Sequence, residues 1–316
     1  MDDVDIIKDI VNIDFFDRLN NKKCLYSNCS NHSINNSHIL QKSTILKSIS
    51  DNNNVYTYLP SSFKNDLYKE TDAKLVKRQI NNATVFSGFC SFHDNNIFRL
   101  IEDDINQSSD ALYAFLYSYR SFIYSFLIKK IMVSTNISRS VEGKVLEKYG
   151  KKYFEIFKRM VELKPKKTTI FNDEISRFKK SKLDYENIIS DDGSVGNFNE
   201  RFLIYTNRLK NNDKLAIINT TLLKQNNRFN SEQPITFGIL PNNDSKDPIF
   251  FIVSSVLDNQ LFNDLVSLYK YNHREFLNFY LNLEISDVVA INPTYFESLK
   301  YHDNLSRVIL FDNTFD

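Results

Sequence analysis

The sequence is poor in the residues that build disulfides, tight turns and phosphate loops. Its 316 residues include three cysteines, six glycines, six prolines and no tryptophan. The part at 197–316 shows no glycine-rich phosphate loop, no nucleophile elbow and no carboxylate pair at a recognisable spacing, so it lacks the motifs that define those enzyme classes. An odd number of cysteines makes no complete disulfide framework. The acidic start, MDDVDIIKDIV, has no basic region before an apolar run. We therefore expect no signal peptide, and a cytoplasmic protein whose cysteines bind metal.

The composition is that of a globular protein with many aromatic side chains. There are 26 phenylalanines and 17 tyrosines, and the formal net charge is +1. A chain of this length can bury a sizeable core in two or three domains. We predict an α+β protein with a zinc-bound treble-clef or HNH-like module at 1–107, long central helices at 108–190 and a mixed α+β domain at 197–316. Residues 190–196, SDDGSVG, are predicted to be the linker before the last part.

Cysteine and histidine residues in the first hundred positions have the spacing of a zinc site. Cys24 and Cys29 form a C-x4-C pair in a polar loop, and Cys90 and His93 form a C-x2-H pair. These four residues use every cysteine of the chain and would give Zn²⁺ the four soft or borderline ligands of a structural site. His32 could replace His93 as the fourth ligand. The alternative is that the cysteines are buried free thiols.

The segment TVFSGFCSFHDNNIFRLIE, residues 84–102, predicts a strand, a turn and a helix in succession. The strand ends at 84–86 and Gly88 permits the turn. Apolar residues at helical spacing then predict a helix over 96–105, with Asp94 as its N-cap. A treble-clef site takes its second pair of ligands from a unit of this kind.

His38 and Asp94 are the candidate catalytic residues. In a zinc-stabilised ββα-metal nuclease, a histidine at the end of the first strand activates water for attack on a phosphodiester, and His38 lies between the two ligand pairs. Asp94 would bind a second, catalytic Mg²⁺ or Mn²⁺ at the start of the helix. In the alternative interpretation His38 is a structural histidine, hydrogen-bonded within the module, and Asp94 is only a helix cap.

The middle of the chain predicts a buried helix followed by basic helices. Residues 109–133 are apolar on almost every side, but Arg120 at their centre makes a membrane span costly. We expect Arg120 to pair with Asp103 or Asp104. Residues 139–182 contain fourteen Lys or Arg and six Asp or Glu, an excess of eight positive charges. This segment could hold a nucleic-acid backbone or form a solvated helix face.

In the first part of the chain, a helix is predicted at 5–19 and a strand at 55–59, whereas residues 61–82 are predicted to be polar and irregular. The last third predicts strands at 202–205, 215–219, 235–240, 249–256, 288–291 and 308–311, with an amphipathic helix at 260–283 and one that begins at Pro293. We expect an antiparallel sheet with helices on one side.

Four pieces of the sequence resemble a widespread bacterial family without an established activity. They are SHILQKSTILKSISDNNNVYTY, TVFSGFCSFHDNNIFRLIE, ALYAFLYSYRSF and a late INPTYFESL, against a family pattern of A/S-H-x-I-Q-K, T-F-x-G-F-C-x-x-H-D-x-x-L-F-x-x-I-E and F-L-x-Y-R. The resemblance covers about the first 130 residues and implies a zinc-stabilised, HNH-like module. It assigns metal binding to the Cys24, Cys29, Cys90 and His93 positions and function to His38 and Asp94. The chain has Asn53-Asn54-Val55 where the family often has Gly-His-Val, so a second histidine of the module is missing.

Two functions of different classes follow. The first is a metal-dependent HNH-like nuclease whose basic helices bind nucleic acid, by analogy a phage-defence effector. The second is a non-enzymatic protein in which zinc stabilises the N-terminal module and the C-terminal α+β domain binds a protein partner.

Overall fold

The computed structural model describes residues 2–20, 23–58, 75–102, 109–163, 168–209, 214–223, 233–241, 247–256, 259–273, 275–276 and 288–298. Eight α-helices lie in these ranges: α1 (Asp3–Leu19), α2 (Lys47–Ile49, after a π-helical turn at Lys42–Leu46), α3 (Ser91–Glu102), α4 (Asp110–Val133), α5 (Arg139–Glu162), α6 (Thr168–Glu186), α7 (Asn259–Tyr271) and α8 (Pro293–Ser298). The predicted α+β class is confirmed. The strand predicted at 308–311 and the end of the helix predicted at 260–283 lie outside the described residues.

The described ranges contain nine strands, which form one seven-stranded sheet and one two-stranded sheet. The large sheet contains β2 (Asn54–Tyr58), β3 (Leu75–Gln79), β5 (Phe202–Arg208), β6 (Leu215–Leu223), β7 (Gln233–Leu240), β8 (Ile249–Ser255) and β9 (Val288–Ile291). Its order is β3-β2-β9-β6-β7-β8-β5, and every neighbouring pair is antiparallel. A separate two-stranded antiparallel sheet pairs β1 (Ser37–His38) with β4 (Val85–Phe86).

Helices cover both faces of the large sheet, so the prediction of helices on one side was wrong. Side chains alternate along each strand, and in β6 Ala216 and Ile218 face the core under α4 and α6, whereas Leu215 and Ile217 face α7. Strands buried on both faces are apolar almost throughout, and β8, Ile249–Ser255, is buried over its whole length. The result is a three-layer arrangement with the sheet in the middle.

The sheet joins segments that lie far apart in the sequence. Tyr56 and Thr57 of β2 pair with Ile291 and Ala290 of β9, and β3 pairs with the other edge of β2. Residues 75–79, predicted to be irregular, are therefore a strand. The segments assigned to the first and last domains share this sheet, because β2 contributes its hydrogen-bonding groups to β9 rather than to a sheet of its own.

The long central helix is the packing centre of the molecule. Ser109 is the N-cap of α4, because its hydroxyl accepts the Leu112 N–H at 3.2 Å, and most residues of the helix are buried. It contacts α1, α3, α6 and four strands of the sheet, as the apolar pattern of residues 109–133 predicts. Within the described ranges, no helix combines the length and apolarity that a membrane crossing requires.

The basic helix α5 is partly neutralised by the acidic helix α1. Lys148 Nζ lies 3.0 Å from Asp9 Oδ2, and two more lysines of α5 lie 3.9 Å from Asp17 and Asp3. Apolar side chains of the two helices form a small core around Ile10, separate from the main one. Part of the local charge excess is therefore balanced within the fold.

Gly238→Ala is expected to destabilise the protein by about 1–3 kcal/mol, as overpacking does in a filled core. Gly238 faces Phe251 across β7 and β8, and a Cβ there would lie 2.3 Å from the Phe251 ring. Gly143, in α5, has nothing within 4 Å of the same position. Gly143→Ala is the control and is expected to stabilise by up to about 1 kcal/mol. Urea unfolding of both variants measures the difference, and equal effects would contradict this packing account.

Candidate metal centre

A loop after α1 holds the first pair of candidate ligands. Main-chain hydrogen bonds fix it internally, from Cys24 N to Asn31 O at 3.0 Å and from Cys29 N to Tyr26 O at 3.3 Å. Asn28 adopts a positive φ of 62°, which asparagine tolerates better than most residues. The loop is therefore folded back on itself, with both cysteines on its inner side.

The second pair comes from the turn between β4 and α3. Leu25 N donates to Gly88 O at 2.8 Å, so the first loop is attached to this turn through the main chain. A Cβ at Gly88 would lie 2.1 Å from the Phe86 ring, which explains the glycine. Cys90 precedes α3 and His93 lies in its first turn, so a strand, a turn and a helix start present this pair as predicted.

The four side chains meet in a compact cluster. The Cys24, Cys29 and Cys90 Sγ atoms and one His93 ring nitrogen lie within 4.8 Å of one another. His93 Nδ1 is 3.2 Å from Cys90 Sγ and 3.4 Å from Cys24 Sγ, and Cys29 Sγ is 3.9 Å from Cys90 Sγ. The group could hold one metal ion, and we call it the metal centre. His32, the alternative fourth ligand, is exposed and does not belong to the group.

Burial and the neighbouring groups shift the pKa values of two of the thiols in opposite directions. Burial raises the pKa of Cys24 to about 12. Burial acts in the same direction on Cys90, but the His93 backbone N–H and the neighbouring thiols outweigh it and lower the pKa of Cys90. Three thiolates this close need a cation, because like charges in a buried site oppose one another's ionisation.

A second layer of residues, not predicted from the sequence, surrounds the His93 ring. The Tyr26 ring stacks on the imidazole with centroids 4.2 Å apart, and its hydroxyl donates to Ile189 O at 2.8 Å. Glu186 Oε1 accepts the Tyr119 hydroxyl at 2.9 Å and the Ser27 N–H at 3.2 Å. Tyr26 could have been noticed, since it lies between two candidate ligands; Glu186 and Ile189 give no local signal.

Asp94 lies within the first turn of α3 and is not its N-cap, because the helix begins at Ser91 rather than at 96. Its Oδ1 accepts the Ser37 hydroxyl at 2.6 Å and faces Arg120 Nη2 at 3.5 Å. One oxygen of the predicted catalytic carboxylate is thus engaged by a strand residue and a buried cation.

Arg120 pairs with Glu102 and Asp94 in the described part of the chain, whereas its predicted partners Asp103 and Asp104 lie outside it. Nη2 is 2.7 Å from Glu102 Oε1, and the guanidinium lies 3.8 Å from the Phe98 ring centroid. The residue is 1% exposed. It links α4 to both ends of α3.

His38 lies at the end of β1 and is half-buried. Its Nε2 is 3.1 Å from the Ile80 carbonyl oxygen, so this nitrogen carries the proton in the neutral ring. Burial lowers the pKa of His38, and the Arg120 charge adds to the effect. At neutral pH the imidazole is therefore uncharged and oriented by a backbone carbonyl.

No protein-family model, curated protein or solved structure matches the chain. The function proposed below rests on geometry and donor chemistry.

Proposed function

We propose that the metal centre holds one structural Zn²⁺ in a treble-clef module, and that the protein acts by binding a partner rather than by cutting nucleic acid. The observation that carries the proposal is the closed donor set. Cys24, Cys29, Cys90 and His93 supply four protein ligands within 4.8 Å of one another. A structural zinc site takes four such ligands, whereas a catalytic one keeps a position for water or substrate.

The spacing of the donors supports zinc. Bonds of about 2.3 Å to sulfur and about 2.0–2.1 Å to nitrogen place tetrahedral ligands about 3.8 Å apart for two sulfurs and about 3.6 Å for sulfur and nitrogen. The corresponding distances are 3.9 Å for Cys29 and Cys90, and 3.2 and 3.4 Å from His93 Nδ1 to the Cys90 and Cys24 sulfurs. Thiolate and imidazole donors also suit zinc better than Mg²⁺ or Ca²⁺.

Cobalt substitution tests the geometry of the site. Co²⁺ in a tetrahedral site with three sulfurs and one nitrogen is expected to give intense visible bands and thiolate charge-transfer bands, and added Zn²⁺ should remove both. A pale octahedral spectrum, or no uptake of cobalt by the metal-depleted protein, would contradict the proposal.

The surroundings of Asp94 and His38 favour partner binding over a nuclease activity. A catalytic Mg²⁺ would need the Asp94 carboxylate, which already contacts Ser37 and the buried Arg120. The positive guanidinium beside that carboxylate opposes a second cation there. The nuclease alternative has one observation in its favour, because His38 is a neutral imidazole with one nitrogen oriented by Ile80.

We expect the purified protein to cut neither DNA nor RNA in the presence of Mg²⁺ or Mn²⁺, and His38→Ala to retain its zinc. A gel assay with single- and double-stranded substrates measures this. If the wild-type protein cuts and His38→Ala loses about 10²–10⁴ in rate at unchanged zinc content, His38 is a general base and the nuclease function is correct.

The C-terminal half offers the first surface to test for a protein partner. On α7, Leu268 is 50% exposed and Tyr271 is 91% exposed, one helical turn apart. Nucleic acid is the weaker candidate, because three acidic residues of α1 lie against lysines of α5. Binding of a protein partner and binding of nucleic acid can be distinguished by their salt dependence, since binding to phosphates weakens steeply with added salt.

A further inference from the structure

The loop that carries Cys24 and Cys29 contains a β-turn at residues 26–29. Cys29 N donates to Tyr26 O at 3.3 Å, and Asn28 has a φ of 62° at the third position of the turn, as in a type II turn. The N–H of Ser27, at the second position, has no acceptor within a turn of this kind. Because Ser27 is partly buried, its N–H needs an acceptor from another part of the chain.

Helix α6 supplies that acceptor from a buried ion pair. Glu186 Oε1 accepts the Ser27 N–H at 3.2 Å, and Lys182 Nζ donates to the Ser27 hydroxyl and to Glu186 Oε2, each at 2.7 Å. The Lys182 and Glu186 side chains lie one helical turn apart and are only 9% and 5% exposed. Tyr119 of α4 donates its hydroxyl to Glu186 Oε1 at 2.9 Å, so a second helix fixes the carboxylate. The ion pair therefore contacts both the main chain and the side chain of the turn.

The end of α6 also holds the aromatic ring that covers the ligand histidine. The Tyr26 hydroxyl donates to Ile189 O at 2.8 Å, three residues after Glu186. The Tyr26 ring stacks on the His93 imidazole with the centroids 4.2 Å apart. A short stretch of chain that contributes no ligand is thus attached to the first ligand loop at two points.

We propose that Lys182 and Glu186 are positioning residues of the metal centre. Their ion pair holds the turn at 26–29 in the conformation that directs the Cys24 and Cys29 sulfurs toward the second ligand pair. This inference rests on the proposed zinc site. It makes zinc affinity depend on a carboxylate that lies 159 residues from Ser27 in the sequence.

Lys182→Met/Glu186→Leu removes both charges together, so that neither is left buried without its partner. We expect this variant to bind zinc about 10-fold more weakly. This is the lower end of the usual effect of losing a group outside the ligand set, because the pair acts on the ligand loop and not on a ligand atom. Lys182→Met/Glu186→Gln returns an acceptor for the Ser27 N–H and should recover most of the affinity. Competition for Zn²⁺ against a chromophoric chelator measures each variant.

Lys129→Met/Glu174→Leu is the matched control, because it removes a second Lys–Glu pair by the same two substitutions. Lys129 Nζ of α4 lies 2.9 Å from Glu174 Oε2, about 18 Å along α6 from Glu186. This variant should keep the zinc affinity of the wild type even if its melting temperature falls. Equal affinities in the two Leu variants, or no recovery in Lys182→Met/Glu186→Gln, would assign the pair a merely structural role and overturn the inference.

Hydrogen exchange of the unsubstituted protein tests the same coupling even if the Leu variant does not fold. Because coupling between two sites is reciprocal, zinc should slow amide exchange at 182–189 as well as in the ligand loop at 24–31. Slowing confined to the ligand segments at 24–31 and 88–94 would overturn the inference and leave the zinc site standing. If the wild type takes up no zinc, the proposed function fails and this inference fails with it.

Discussion

Cys90→Ser is expected to abolish metal binding and to unfold the region around the metal centre. Its sulfur lies beside Cys29 and His93, so its loss removes a ligand from the middle of the set. Binding of structural zinc contributes about 10–16 kcal/mol in small zinc peptides, comparable to the whole stability of a domain at about 5–15 kcal/mol. Thermal unfolding with and without a chelator, together with metal analysis, measures the loss.

Two histidine variants show whether the loss of metal is specific to the four residues of the metal centre. His93→Ala should lose the metal as Cys90→Ser does. His32→Ala should keep it, because His32 is exposed and outside the cluster although it lies only three residues from Cys29. Loss of metal in His32→Ala with retention in His93→Ala would assign the fourth ligand to His32 instead.

Arg120→Met is expected to destabilise the protein by about 3 kcal/mol, the lower end of the range for breaking a buried ion pair. The guanidinium is buried, and its loss leaves Glu102 and Asp94 without their shared cation. The lower end applies because the Glu102 and Asp94 side chains are 25% and 14% exposed, so water can solvate part of the charge that the guanidinium leaves behind. Urea unfolding at neutral pH measures the change in free energy.

Arg208→Met is the control for Arg120→Met, since it removes the same group from an exposed pair. Arg208 Nη2 lies 2.7 Å from Asp110 Oδ1, but the side chains are 42% and 30% exposed. We expect a loss of at most about 1 kcal/mol, as is usual for surface pairs. Similar losses in the two variants would mean that burial does not determine the contribution of Arg120.

Local sequence patterns were sufficient to predict the strands that are buried along most of their length. Mostly apolar runs identified β6, β7 and β8, and Pro293 marked the start of α8. The four candidate ligands also came from local spacing, because each pair is formed by a short turn. That the two pairs meet was predicted from the four ligands that a structural zinc site takes, and not from local spacing.

Contacts between distant segments could not be predicted from local patterns. β3 has the sequence LVKRQ, whose polar residues conceal a strand that pairs only with β2 at the edge of the sheet. The partner of Arg120 was sought at Asp103 and Asp104, upstream of α4, whereas α3 supplies Glu102 and Asp94. Residues 189–195 resemble a linker in composition. In the structure they form a turn that packs so closely on the Asn96 backbone that a side chain at position 193 would clash with it, which explains the glycine.

The metal content of the purified protein tests the central claim most directly. Protein produced in zinc-supplemented medium and dialysed against metal-free buffer should retain one equivalent of zinc per chain by elemental analysis. Addition of a strong chelator should remove it and lower the melting temperature. A content far below one equivalent, with a melting temperature that neither zinc nor chelator changes, would contradict the claim that Cys24, Cys29, Cys90 and His93 form a structural zinc site.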